Sequence, residues 1–234
     1  MNRLSSAETE TPTEETEAPA TDDLRDGVVA AVKARLGDGV VAEHVTPGVD
    51  AWVRVTASQW GRAANQLNEL GFTFFDYLSV VDWQPSPWGK SEEPPTTPIV
   101  IAEDPKDFDH GITGGETRFQ VIARVYSPEQ KVGLHLKADV PGDSLTVPTW
   151  VDTYLGAEWH EREAWEMYGI LFEGNPRTLD HLYLPGAFQG FPGRKDFPLL
   201  ARHVKPWPGL VDVEAMPGEP DEEEGDATAT EGEG

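Results

Sequence analysis

The sequence predicts an α+β protein: a small mixed-sheet α/β domain, followed by short helices and a long extended C-terminal arm. Three observations carry this expectation. Residues 24–83 read in the order helix, strand, strand, helix, strand. Residues 118–140 hold two apolar, strand-like runs joined by a short turn signal. Residues 170–211 lose all periodicity, carry six prolines, and still keep many large aromatic and aliphatic side chains.

Each element has its own signal. In "DDLRDGVVAAVKARLGDG", Asp22 or Asp23 caps a helix, Val28, Val29, Val32 and Leu36 form its apolar stripe, and Gly37 stops it. "VVAEHVT" and "AWVRVTA" alternate as strands do. Ser58 is placed to cap "QWGRAANQLNEL", which ends at Gly71. "FTFFDYLSVVDW" is aromatic and β-branched, as a strand requires. The proline-rich stretch 84–97 reads as an exposed loop, "PIVIA" after it as a short strand, and 104–117 as a second, flexible loop. "RFQVIARVYS" and "KVGLHLKADV", separated by "PEQ", read as a hairpin, and Pro141 and Gly142 close the unit. "PTWVDTYL" reads as a helix with Pro148 in its first turn, broken at Gly156, and a second short helix runs to Gly169. The expected divisions are a disordered acidic tail at 1–23, an α+β domain at 24–140, a helical junction at 141–169, an extended arm at 170–213 and a disordered acidic tail at 214–234.

Charge narrows the function. The formal net charge is −24 over 234 residues. Residues 1–23 hold seven acids and one base, and residues 212–234 ten acids and no base, so residues 24–211 keep a net of only −8. Acidic, apolar-poor ends are composed like disordered segments. A nucleic-acid binder needs a basic patch, which this composition argues against. There is no cysteine, which excludes disulfides and any iron–sulfur cluster held by this chain's thiolates. No apolar run reaches membrane-spanning length, and the N-terminus lacks the basic and apolar regions of a secretory signal.

The densest chemistry lies in "WHEREAWEMYGILFEG", residues 159–174. On a helix, Glu158, Arg162 and Glu166 stand four apart, the spacing of ordinary surface ion pairs. Glu161 shares a face with Ala164, Trp165 and Tyr168, so part of it is expected to be buried. A buried carboxylate can act as a general acid or base, but a structural pair at a helix junction or at a contact between subunits is the favoured reading. His160 and Glu163 make a single HxxE step, and a carboxylate-bridged di-metal site needs two such steps and further glutamates. "GITGGET" lacks the Gly-Lys-Ser/Thr ending of a phosphate loop. "GRKDFP" at 193–198 has the charges to hold an anion, though in an aromatic arm it fits the rim of a protein interface better. A segment such as 170–211 must pack on something, and a neighbouring chain is the expected surface.

"EREAWEMYGILFEG" at 161–174, followed by "LYLP", "FQGFPGRKDFPL" and "KPWPG", resembles the signature and C-terminal arm of the NADH-quinone oxidoreductase C-subunit family, the 30 kDa subunit family of respiratory complex I. Two departures stand out. Asn175 occupies a position where the family usually has histidine, and Phe191 and Gly193 replace a histidine and a leucine. The resemblance implies a non-catalytic peripheral-arm subunit of a proton-translocating NADH:quinone oxidoreductase, inactive in isolation and without a metal or cofactor of its own. FMN, iron–sulfur clusters and quinone would belong to other subunits. The implied partners are chiefly the hydrogenase-like D subunit, then the B and I subunits, on the cytoplasmic side of the cell membrane, with attachment only through the complex. The implied signature and interface residues are Glu161, Arg162, Glu163, Trp165, Glu166, Tyr168, Phe172, Gly174, Phe188, Phe191, Arg194, Lys195, Asp196, Phe197, Pro198 and Trp207. Two alternatives stay open: the same role in a related membrane complex with a deazaflavin or hydrogenase donor, and an independent carboxylate enzyme using Glu161 and Glu163.

Overall fold

A computed structural model describes residues 21–86 and 104–197. The expected acidic tails (apart from 21–23), the "PIVIA" strand, most of the 84–97 loop and the arm beyond Phe197 lie outside the described residues.

The first helix, α1 (Asp23–Leu36), starts where Asp22 accepts a hydrogen bond from the Arg25 backbone N–H at 3.2 Å. Acids in its first turn and Lys33 and Arg35 in its last complement the helix dipole. Strands β1 (Val40–His44) and β2 (Ala51–Val55) follow, then α2 (Trp60–Glu69), β3 (Phe74–Asp82), β4 (Phe119–Ser127) and β5 (Val132–Asp139). The five strands form one sheet in the order β1-β2-β5-β4-β3. Within it the β2–β5 pair is parallel and the other three pairs are antiparallel, so the sheet is mixed as the sequence predicts. Ser58 does not cap α2. A 3₁₀ turn at Ala57–Gln59, closed by Gln59 N–H to Thr56 O, winds the chain into the helix first, and the Ser58 hydroxyl lies 3.1 Å from that of Thr56.

Alternation along the strands separates two faces. Val53, Val121, Val125, Leu134 and Leu136 are buried with α1 and α2 in the hydrophobic core. On the other face Arg54, Gln120 and Lys137 are buried under the glycine-rich loop. Lys137 Nζ donates to the carbonyls of His110 (2.6 Å) and Ile112 (2.9 Å), Arg54 Nε to Thr113 and Gln120 Nε2 to Gly114. The loop expected to be flexible is thus fastened by three buried side chains. Burial lowers the Lys137 pKa from 10.5 to about 8, with Asp139 opposing and Arg54 assisting. Between pH 8 and 10.5 the unfolded chain keeps this proton while the folded chain has released it, so this group adds stability as pH rises. Relative to Lys137→Met, the wild type is expected to gain on the order of 2 kcal/mol across that window in denaturant melts. A pH-independent difference would show that the ammonium is not desolvated.

The chain beyond residue 140 is part of the same core. Strand β6 (Thr146–Pro148) pairs in parallel with β7 (Leu171–Glu173), and α3 (Ala157–Tyr168) lies between them in sequence. Trp150 stacks on Trp60 with centroids 4.5 Å apart and donates its indole N–H to the Trp60 carbonyl. Tyr154 donates its hydroxyl to the Phe72 carbonyl at 2.7 Å. Val147, Trp150, Ile170 and Phe172 are fully buried in the one cluster. No break falls at residue 140, and the compact unit extends to Phe197. The helix expected over 148–155 is also absent. Pro148 ends a strand, Thr149 N–H bonds the Glu173 carbonyl and Trp150 N–H bonds the Glu161 carboxylate. With Pro148 held in the β6–β7 pair, the chain after it makes only a turn, closed by Tyr154 N–H to Trp150 O.

Candidate functional site: the signature helix and its strap

Helix α3 ends at Gly169, whose φ of +76° closes the helix with N–H to Trp165 O at 2.7 Å. Three of its charged residues, Glu161, Arg162 and Glu166, are directed inward. Glu161 is fully buried. Its carboxylate accepts from Thr149 Oγ1 (2.6 Å), Trp150 N–H (2.6 Å) and Asn175 Nδ2 (2.9 Å). Burial raises its pKa, and the three donors only partly offset that effect. Asn175, the residue that departs from the family pattern, therefore serves the central carboxylate directly.

Arg162 and Glu166 grip the segment that follows. Arg162 donates to the carbonyls of Asp180 (3.1 Å) and His181 (2.9 Å) and reaches Glu158 at 3.4 Å. Glu166 accepts from the His181 ring (2.9 Å) and from the backbone N–H groups of Leu182, Tyr183 and Leu184, the last at 2.7 Å. Burial acts to raise the Glu166 pKa, but these donors outweigh it and hold the group below the usual glutamate value. Of the two expected helix ion pairs, Glu158–Arg162 forms, and Arg162–Glu166 does not. Arg162 and Glu166 are both buried, and each binds strap backbone of opposite polarity rather than the other. We term residues 177–184 the strap.

A second fastening holds residues 190–197. Asp82 is buried at the end of β3 and accepts two hydrogen bonds from Arg118, at 2.9 and 2.7 Å, and one from Lys195 N–H at 2.8 Å. Arg118 also pairs with Asp196 at 2.9 Å. Arg194 donates to the Tyr168 carbonyl at 2.7 Å and lies over the rings of Phe191 and Phe119. Phe188 stacks near Phe197, with centroids 6.1 Å apart. Residues 170–197, expected to pack on a neighbouring chain, find part of their surface on this chain, while Leu179, Tyr183 and Phe188 stay exposed. Phe172 is in the core. Gly174, at φ +97°, passes so close to Thr149 that an added Cβ would meet its methyl at 2.9 Å. Trp165 packs near the His181 ring, and Glu163 is half-buried. Pro198 and Trp207 lie outside the described residues.

Sequence reasoning missed Thr149, Trp150, Asp82, Arg118 and His181. None carries a motif, and only Asn175 was flagged, as a departure. Among the described residues no group of three or more His, Asp or Glu side chains is placed to hold a metal ion. No described helix is long and apolar enough to cross a membrane.

Residues 53–203 match the family model described as respiratory-chain NADH dehydrogenase, 30 kDa subunit. The chain belongs to this family. Among relatives of the 30 kDa family, the second NADH-quinone oxidoreductase C subunit of Rhizobium meliloti (strain 1021) is 46% identical over 82 residues, covering 35% of this chain and 44% of the relative. The NADH-quinone oxidoreductase C subunit of Brucella ovis is 46% identical over 84 residues, covering 36% of this chain and 41% of the relative. The chain thus spans less than half the length of these curated relatives. A chain in the structure of the membrane-bound sulfane sulfur reductase, an archaeal respiratory membrane complex, shares the fold at a TM-score of 0.56 and 19% identity, covering 83% of this chain and 97% of that one.

Proposed function

We propose that this chain is a non-catalytic peripheral-arm subunit of a proton-translocating NADH:quinone oxidoreductase, contacting chiefly the hydrogenase-like D subunit and also the B and I subunits on the cytoplasmic side of the cell membrane. One observation carries the reading. The signature residues Glu161, Arg162 and Glu166 are buried, and their polar atoms bind groups of the same chain. Such groups shape a strap; they are not presented to a substrate. The absence of cysteine supports placing any iron–sulfur cluster in other subunits. NADH is favoured over another donor because the 46%-identical relatives are NADH-quinone oxidoreductase subunits, whereas the sulfane sulfur reductase likeness supports the fold alone.

The test is purification of the tagged full chain from membranes in mild detergent, with wild type, Arg162→Ala and Glu166→Ala compared. The D, B and I subunits are expected to co-purify with the wild type. Both variants are expected to lower the amount of complex while leaving NADH:quinone turnover per assembled complex unchanged. A fully assembled but inactive Glu166→Ala complex would overturn the non-catalytic role, and recovery of the wild-type chain alone would overturn the subunit role.

A further inference from the structure

The inward grip of the signature residues leaves a different set of side chains facing water. Leu155 (84% exposed), just before α3, and Trp159 (63%), in its first turn, stand four residues apart. Leu179 (62%) and Tyr183 (64%) stand four apart on the strap. The strap runs alongside α3: Arg177 reaches Glu158 at 3.6 Å, Arg162 binds the carbonyls of Asp180 and His181, and Glu166 binds the amides of 182–184. The backbone of Tyr183 is thereby fixed while its ring is exposed. Four large apolar side chains, two at the entry to α3 and two on the strap bound to it, face water. Aromatic anchors of this kind dominate interface energetics.

The surrounding charge selects the occupant. Asp152, Glu173 and Asp180 are exposed, and Glu163 follows Trp159 by one helical turn. Among the described residues of α3 and the strap, the arginine or lysine outside the buried grip is Arg177, which is already paired with Asp180 and Glu158. A second copy of a chain with net charge −24 is repelled from such a surface, and so is an anionic lipid headgroup. We propose that Leu155, Trp159, Leu179 and Tyr183 form a docking surface for a protein partner whose contact face is apolar with a lysine- or arginine-bearing rim. Opposite charge at the rim steers and orients, while the apolar side chains supply the burial. This rests on the subunit reading and deepens it. The interface lies beside the signature, on residues the signature holds in place.

The experiment uses the full chain in its own membranes, with Trp159→p-benzoylphenylalanine as a photo-crosslinker. Irradiation is expected to yield an adduct to a co-purifying protein of the complex, at a peptide carrying lysine or arginine next to the crosslinked site. Adding Glu163→Lys is expected to lower the yield at least threefold. Glu129→Lys, on the exposed β4–β5 turn, is expected to leave it unchanged. An adduct to lipid or to a second copy overturns the assignment, as does equal yield with Glu163→Lys. Presence of the chain in the purified complex without a Trp159 adduct overturns the docking surface alone. Absence of the chain from the complex overturns the subunit reading, and this assignment with it.

Discussion

A chain ending after Gly169 is expected to be unfolded. The sequence-level division predicts the opposite, an independent 24–140 domain that survives loss of its arm. The structure removes that independence. Ile170 and Phe172 are fully buried in the central cluster. Phe172 sits opposite Val147 in the β6–β7 pair, so truncation also strips β6 of its partner strand. It further removes Asn175 from Glu161, and the backbone groups that neutralise Arg162 and Glu166. Loss of a buried isoleucine and a buried phenylalanine costs about 5–10 kcal/mol together, against a typical domain stability of about 5–15 kcal/mol. Far-UV circular dichroism and a thermal melt of the 1–169 fragment decide the matter. A cooperative transition at the full chain's Tm would sink the argument.

Glu161→Ala is the second large effect, expected to destabilise the full chain by about 3–5 kcal/mol. It would leave the Thr149 hydroxyl, the Trp150 N–H and the Asn175 amide without their acceptor in a site closed to water. Glu161→Gln separates charge from shape. Because burial raises the Glu161 pKa, the unfolded chain releases this proton first as pH climbs past the ordinary value of 4.5. Wild-type stability relative to Glu161→Gln should therefore fall with rising pH, then level off once the folded carboxyl has also ionised. Urea melts from acid to neutral pH follow both effects. A Glu161→Ala chain within about 1 kcal/mol of wild type, or a Glu161→Gln difference that is flat with pH, would contradict this account of the site.

The features written locally are those read directly from the chain. Asp22 lies three residues from the amide it caps, and a φ-permissive glycine follows α1 and α3. The β4–β5 hairpin joins neighbours in sequence, and period-two alternation separates its buried and polar faces. The α+β class, the mixed sheet and the burial of Glu161 follow from such short-range signals, because propensity, capping and alternation act over a few residues. What tertiary structure decided is where long-range polar partners lie. Pro148 is drawn into β6 by pairing with Glu173 of β7, twenty-five residues on, so a stretch with helical composition starts as a strand and continues as a turn. Glu166 is bound by three backbone amides from 182–184, and every residue but proline has an amide, so no side-chain pattern announces it. Asp82 and the Lys195 amide meet across 113 positions of sequence. The surface-like spacing of Glu158, Arg162 and Glu166 looks the same whether water or a strap covers it. Only the packed fold supplies the strap, and once water is excluded each of those charges requires a partner from the chain itself.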